Sequence, residues 1–297
     1  MYSPRSDVLA RVRRIDGKLR CKISLQPMQH SLDSDQQRTY DEHGFLSPLP
    51  VFTTAETAAL RAQFEAFETR CGGREAASGK RTDLHLLQKW AWDVVTDRRI
   101  VDPIVSVLGP DVLLWSTNWF IKEPRDGKFV SVHQDASYWG LEPHDVATAW
   151  VALSDTSLAT GPMNFIPGSH RHGLYEQENT YAEDNLLSRG QRVTANLDES
   201  QGELAPLAAG QMSIHHVRIL HGSSPNETDD RRIGMVLRYC ATHVKQTKGP
   251  DTAVLVAGED RYGHFDLLPQ PLEDFGAAET ERHRDAVQKM GKIILNG

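Results

Sequence analysis

Three His-x-Asp triplets occur in this chain: His133-Gln134-Asp135, His264-Phe265-Asp266 and His283-Arg284-Asp285. Imidazole and carboxylate are the ligand types of a non-haem Fe(II) oxygenase centre, where two imidazoles and one carboxylate occupy one face of the metal and leave the remaining positions open. On an extended strand, residues i and i+2 point the same way, so one triplet can offer two of the three ligands. The triplets are not equivalent. His283 and Asp285 sit in a helical stretch, where i and i+2 diverge, and read as a solvated face. His264 has no later strand histidine to complete a site and reads as a surface or packing residue. Only His133 and Asp135 have a suitable sequel.

That sequel is His221-Gly222-Ser223-Ser224-Pro225-Asn226, followed by Arg231 and Arg232. Arg232 lies 11 positions after His221. Adjacent antiparallel strands would set an imidazole at the metal and a guanidinium behind it. The planar fork of arginine pairs with a carboxylate through two hydrogen bonds, which suits the far carboxylate of 2-oxoglutarate while its near end chelates iron. Alternation along a strand then turns Arg231 to solvent. His215 and His216 are rival distal ligands; being consecutive they face opposite ways, and neither has the same loop and basic pair behind it.

The elements that must position these residues come in two blocks. Residues 31–45 read as a helix opened by Ser31 or Asp33 and closed at Gly44. Thr53 and Glu56 have capping-box spacing, and Leu60, Phe64 and Phe67 recur at helical spacing until Gly72-Gly73. A further helix is expected over 97–108, with Ile100, Ile104 and Leu108 on one face. Then the pattern becomes extended: residues 112–122, 146–153, 163–166, 211–217 and 233–240 are rich in β-branched and aromatic types, with turn-forming residues between them. Residues 276–291 are helical again. The pattern predicts a mainly β domain, a sandwich or jelly roll of short strands with flanking helices.

Here the stretches SVHQDASYWGL (131–141), GPMNFIPGSH (161–170) and HGSSPNETDDRRIGMVLRY (221–239) resemble the phytanoyl-CoA dioxygenase family, with matching segments in order from about residue 31 to 270. The resemblance implies a double-stranded β-helix and an enzyme, an Fe(II)- and 2-oxoglutarate-dependent dioxygenase using O2. It puts the iron ligands on His133, Asp135 and His221, and the 2-oxoglutarate anchors on Arg232 and Ser223. Trp150 matches a position lining the co-substrate pocket, and Asn118 is a further candidate. An upstream lysine used by some members has no clear counterpart, since Asp83 and His85 occupy that neighbourhood. Halogenating relatives carry a small residue where Asp135 stands, so hydroxylation of a C–H bond is expected, with release of succinate and CO2. Tyr138, Trp139, Asn164 and Arg238 are candidates for the substrate side, and residues 244–270 for a lid. The alternatives are desaturation, epoxidation or epimerisation at the same metal, a cupin-like isomerase or lyase, and a non-catalytic metal-binding jelly roll.

Composition bounds the rest. The chain has 297 residues, 39% hydrophobic and 25% charged, enough for one full core. A net charge of −7 disfavours general nucleic-acid or membrane-surface binding, and a small-molecule substrate is the expected partner. No apolar run nears the roughly 18 residues of a membrane span. Three scattered cysteines form neither a disulfide framework nor a thiolate metal site, which fits a cytoplasmic setting. The first thirty residues stand apart, with Arg5, Arg11, Arg13, Arg14, Lys18, Arg20 and Lys22 against only Asp7 and Asp16. They read as a disordered or misassigned extension before a single domain over 31–297, with Met28 as a potential start.

Overall fold

The computed structural model describes residues 10–15, 18–23, 29–198 and 201–295. Backbone of Ala10–Ile15 and Lys18–Ile23 pairs as an antiparallel hairpin. Helix α1 (Ser34–His43) starts at Asp33, whose side chain accepts the Gln36 N–H while the Gln36 side chain returns to the Asp33 N–H. It stops at Gly44, which takes the left-handed conformation that ends a helix. Strand β1 (Phe45–Pro50) follows. Helix α2 (Thr54–Arg70) opens on the capping box of Thr53 and Glu56. Helices α3 (Arg74–Arg81) and α4 (Lys89–Val95) were hidden by short, charged or aromatic sequences; α5 (Arg98–Leu108) begins at its Asp97 cap.

The β-rich part comprises β2 (Val112–Lys122), β3 (Val130–His133), β4 (Val146–Ala152), β5 (Met163–Phe165), β6 (Glu203–Ala205), β7 (Gln211–His216), β8 (His221–Ser223), β9 (Arg232–Ala241), β10 (Thr252–Ala257) and β11 (Asp266–Leu267). A one-turn helix α6 (Ala136–Trp139) interrupts them, and α7 (Ala277–Leu295) closes the chain. They build two sheets, a seven-stranded one in the order β11-β10-β2-β9-β4-β7-β1 and a four-stranded one in the order β6-β5-β8-β3. This is the expected jelly roll with flanking helices.

Strand β9 runs through the middle of the large sheet, and all ten of its residues are buried. Ile233, Met235, Leu237 and Tyr239 join the helix-side core with Phe64, Phe67, Ile100, Ile104 and Trp119. There Phe64 stacks on Trp119 with centroids 3.9 Å apart. The opposite, even-numbered face of β9 looks toward the small sheet, where Phe45, Trp150, Met163, Phe165, Ile219 and Val236 form an inner cluster.

Both faces of the large sheet are therefore covered, which overturns three expectations. Arg231 is not solvent-facing. It does alternate with Arg232, but its side is the helix side, where it is 3% exposed and bound to Glu68 of α2 at 2.8 Å and to Glu123 at 3.0 Å. The segment 244–270 is not wholly a lid, because β10 is a buried strand paired to β2. His283, expected on a solvated helix face, is buried, with Nε2 at 2.7 Å from the Thr82 carbonyl. His264 is exposed, as expected.

Candidate metal centre

His133 ends β3 and His221 begins β8, and the two are direct antiparallel partners in the small sheet. Their rings lie 4.2 Å apart. Each Nδ1 faces the carbonyl oxygen two residues back, Ser131 at 2.9 Å and Ile219 at 3.1 Å. With Nδ1–H donated to those carbonyls, each ring keeps a bare Nε2 toward the cavity, the tautomer a metal requires. Asp135 arrives differently from the strand argument. It is in the right-handed helical region at the start of α6, so the chain turns after His133 and folds the carboxylate back to 3.4 Å from His133 Nε2. The Tyr138 hydroxyl donates to the same carboxylate at 3.2 Å. One potential ligand atom from each of His133, Asp135 and His221 lies within 4.8 Å of the other two.

Protonation suits a cation. Burial alone would raise the Asp135 carboxyl, but positive charge facing it, whether protons on the His133 and His221 rings or a cation held in their place, together with Arg238, holds it well below the ordinary carboxylate range. Burial and the neighbouring His133 push His221 down to about 4, so it is neutral at ordinary pH. His215 lies in the same cavity, its ring 4.9 Å from His221, yet it is outside the three-residue set. His216 faces the other way, toward His170.

Behind these residues the cavity is lined by one buried guanidinium, Arg232, with the buried Lys122 amine beside it. Arg232 stacks over the Trp150 indole at 4.6 Å, and its Nε and one terminal nitrogen have no partner. Burial pushes this guanidinium down to about 9. Lys122, its direct neighbour across β2 and β9, donates from Nζ to Ser223 Oγ at 2.7 Å and to the Ser224 carbonyl. Burial, then the charge of Arg232, push Lys122 down to about 6. Neither group forms an ion pair among the described residues. An unpaired buried charge is costly unless a ligand neutralises it, so this end of the cavity is built for an anion. The donor set and this orphaned guanidinium together fit a ferrous ion and a dianionic 2-oxo acid.

The family model for phytanoyl-CoA dioxygenase (PhyH) matches residues 40–234. The chain belongs to this family. A relative from Stutzerimonas stutzeri, described as a probable alpha-ketoglutarate-dependent hypophosphite dioxygenase, is 29% identical over 287 residues, covering 86% of this chain and 99% of its own. The human peroxisomal phytanoyl-CoA dioxygenase is 22% identical over 253 residues, covering 75% of each chain. Among solved structures, the non-heme monooxygenase ThoJ in its apo form superposes with a TM-score of 0.80 at 33% identity, over 88% of this chain and 98% of its own. This PhyH-family protein is thus an oxygenase by descent as well as by fold.

The cavity of this family member gathers His133, Asp135, His221, Ser223, Trp150 and Arg232. It does not gather Asn118, which is on the cavity side of β2 by alternation but spends its side-chain oxygen on the Trp119 N–H at 2.7 Å. His221 and Arg232 are not on adjacent strands; β8 and β9 belong to opposite sheets and face each other across the cavity. Sequence reasoning missed Lys122. Its signal was present, a lysine closing a strand rich in aliphatic and aromatic residues, on the same alternate positions as Phe120. Of the substrate-side candidates, Arg238 lines the cavity, whereas Tyr138, Trp139 and Asn164 do not.

Proposed function

We propose that this protein binds Fe(II) through His133, Asp135 and His221, anchors 2-oxoglutarate on Arg232, and hydroxylates a small molecule at an unactivated C–H bond. The observation that carries this reading is the convergence of two imidazoles and an ionised carboxylate in one cavity with a buried guanidinium lacking an anion. Bound there, the ferrous ion with 2-oxoglutarate and O2 supplies the oxidising power. The balance is R–H + O2 + 2-oxoglutarate giving R–OH + succinate + CO2.

The chain's own residues bind, orient and exclude. Arg232 receives the far carboxylate through its free nitrogens, and Trp150 beneath it fixes the plane of the fork. Lys122 and Ser223 offer further donors at the same end. Phe120, Val130, Met163 and Val236 line the space between that anchor and the ligands, keeping water from the reacting atoms. Asp135, by filling the third protein position, leaves none for a halide and favours oxygen transfer.

The test is anaerobic addition of Fe(II) and 2-oxoglutarate, following the visible charge-transfer band of the chelate. A band that needs both components, and that Arg232→Gln weakens without lowering iron content, is the expected result. Iron bound with no band would reject the co-substrate assignment. Asp135→Ala turning over at the original rate would reject the ligand assignment.

A further inference from the structure

Arginine occurs twice on the cavity side of β9, at 232 and again at 238, in a strand that is buried throughout. Six residues of extended backbone set them about 20 Å apart along the sheet, on either side of an apolar middle formed by Gly234 and Val236. The first arginine has a role in the reading above. The second does not.

Arg238 sits in a row of polar residues that crosses four strands. Its direct neighbours are Ser116 on β2 and Thr148 on β4, and Thr148 in turn pairs with His215 on β7. The guanidinium lies 4.8 Å over the Trp139 ring, and one terminal nitrogen donates to Ser116 Oγ at 3.2 Å. Those two contacts fix its plane without neutralising its charge. Arg238 Nε, Thr148 Oγ1 and His215 Nδ1 are all buried without a partner, and all three residues line the same cavity. Arg238 itself is 9% exposed. No carboxylate forms an ion pair with it among the described residues. Asp83, the nearby buried acid, spends Oδ1 on the Thr117 N–H at 2.8 Å. Asp135 is committed to the metal.

Charge balance makes the same point. One ferrous ion, the Asp135 carboxylate, two neutral imidazoles, a dianionic co-substrate and Arg232 sum to zero. Lys122 sits beside Ser223 and Arg232, so any proton the dianion draws onto it adds charge at the co-substrate end and none at Arg238. Arg238 leaves one positive charge over, on a residue only 9% exposed, where screening by water is weak. A neutral substrate would leave that charge and two polar atoms unsatisfied; an oxyanion would satisfy all three.

Resting on the reading of the site as an Fe(II)/2-oxoglutarate oxygenase, we propose that its substrate is a small molecule carrying a compact oxyanion group, a carboxylate or a phosphorus oxyanion. That group is held by Arg238, with Thr148 and His215 beside it. The geometry makes Arg238 the specificity-determining residue, holding the substrate at the end of the cavity opposite Arg232 with its C–H bond toward His133, Asp135 and His221.

The test uses the anaerobic Fe(II)·2-oxoglutarate protein, with the chelate band as reporter. Propanoate, methylphosphonate and methylphosphinate are each titrated against the neutral counterparts propanamide and dimethyl methylphosphonate. At least one acid is expected to shift the band and the neutral compounds are not; which acid binds best tells carboxylate from phosphorus oxyanion. Arg238→Gln is expected to weaken that binding about 30-fold or more, since it removes one partner of a buried charge pair, and Arg238→Lys to recover part of it. The band of each variant, formed at the same 2-oxoglutarate concentration as in the wild type, reports that it is folded and that Arg238 does not serve the co-substrate. Neutral compounds shifting the band as well as the acids, no acid shifting it, unchanged affinity in Arg238→Gln, or a raised 2-oxoglutarate requirement in that variant would each overturn the proposal. A wild-type protein with iron but no band fails earlier, before any probe is added, and removes the underlying reading along with this one.

Discussion

Replacing Gly234 by alanine sets a methyl group against the Trp150 indole. A Cβ built at 234 would lie 2.5 Å from Trp150 Cη2 and closer still to Cζ2 and Cε2. Ordinary carbon contacts are about 3.5–4.0 Å, so ring or strand must move by about 1 Å. Neither moves freely, since β9 is hydrogen-bonded on both sides and Trp150 is 3% exposed. Overpacking of this kind costs about 1–3 kcal/mol, which lowers Tm by about 3–10 °C for a domain of this size. The functional consequence follows from the stack: the indole is the platform of Arg232 at 4.6 Å, and a misplaced anchor raises the KM for 2-oxoglutarate, by about 10-fold or more. Thermal melts and 2-oxoglutarate saturation curves, with Gly234→Ala beside Gly234→Ala/Trp150→Phe, measure both effects. Phenylalanine lacks the clashing atoms, so the double variant should regain Tm but not the KM. A single variant with unchanged Tm and KM, or two substitutions whose stability effects simply add, would refute the reasoning.

Other predictions address charge. Because Lys122 is pushed down to about 6, an arriving dianion should draw a proton onto it at pH 7–8; calorimetric heats of 2-oxoglutarate binding should then differ between phosphate and Tris buffers, and that difference should vanish in Lys122→Met. Arg231→Met takes one of two arginine partners from the buried Glu68, leaving Arg81, and should cost about 1.5–3 kcal/mol in chemical denaturation while leaving the KM for 2-oxoglutarate alone, the reverse of Arg232→Gln. His85 and His216 are both pushed down to about 3 by burial, so from pH 6.5 toward 3 the unfolded chain binds protons that the folded one refuses. Each should therefore remove about 1.4 kcal/mol per pH unit over that window in the metal-free protein, and a flat Tm from pH 6.5 to 4.5 would count against their burial as neutral rings.

What was legible in the sequence was local or patterned. The Asp33 and Thr53 caps, the α5 start and the five long extended runs follow from side-chain chemistry acting within four residues or from simple periodicity. The convergence of His133, Asp135 and His221 was legible because these residue types are rare in combination. Long-range placement was not. Whether Arg231 met water or Glu68 depended on α2 covering the sheet, some 160 residues away in sequence. The backbone at Asp135 was misjudged because a two-residue spacing brings side chains together on a strand, yet a turn into a helix does so equally well. Lys122 was overlooked because its value lies in Ser223 and Arg232, neither of which is near it in the chain.

The imidazoles of His133 and His221 are both oriented by main-chain oxygens two positions upstream rather than by acidic or amide side chains. A peptide carbonyl is supplied by every amino acid, so no single substitution at 131 or 219 can delete it. Mutational drift around the centre can thus reshape the far end of the cavity without rotating the rings proposed to hold the metal, insulating the candidate oxygen-activating apparatus from changes in what it acts upon.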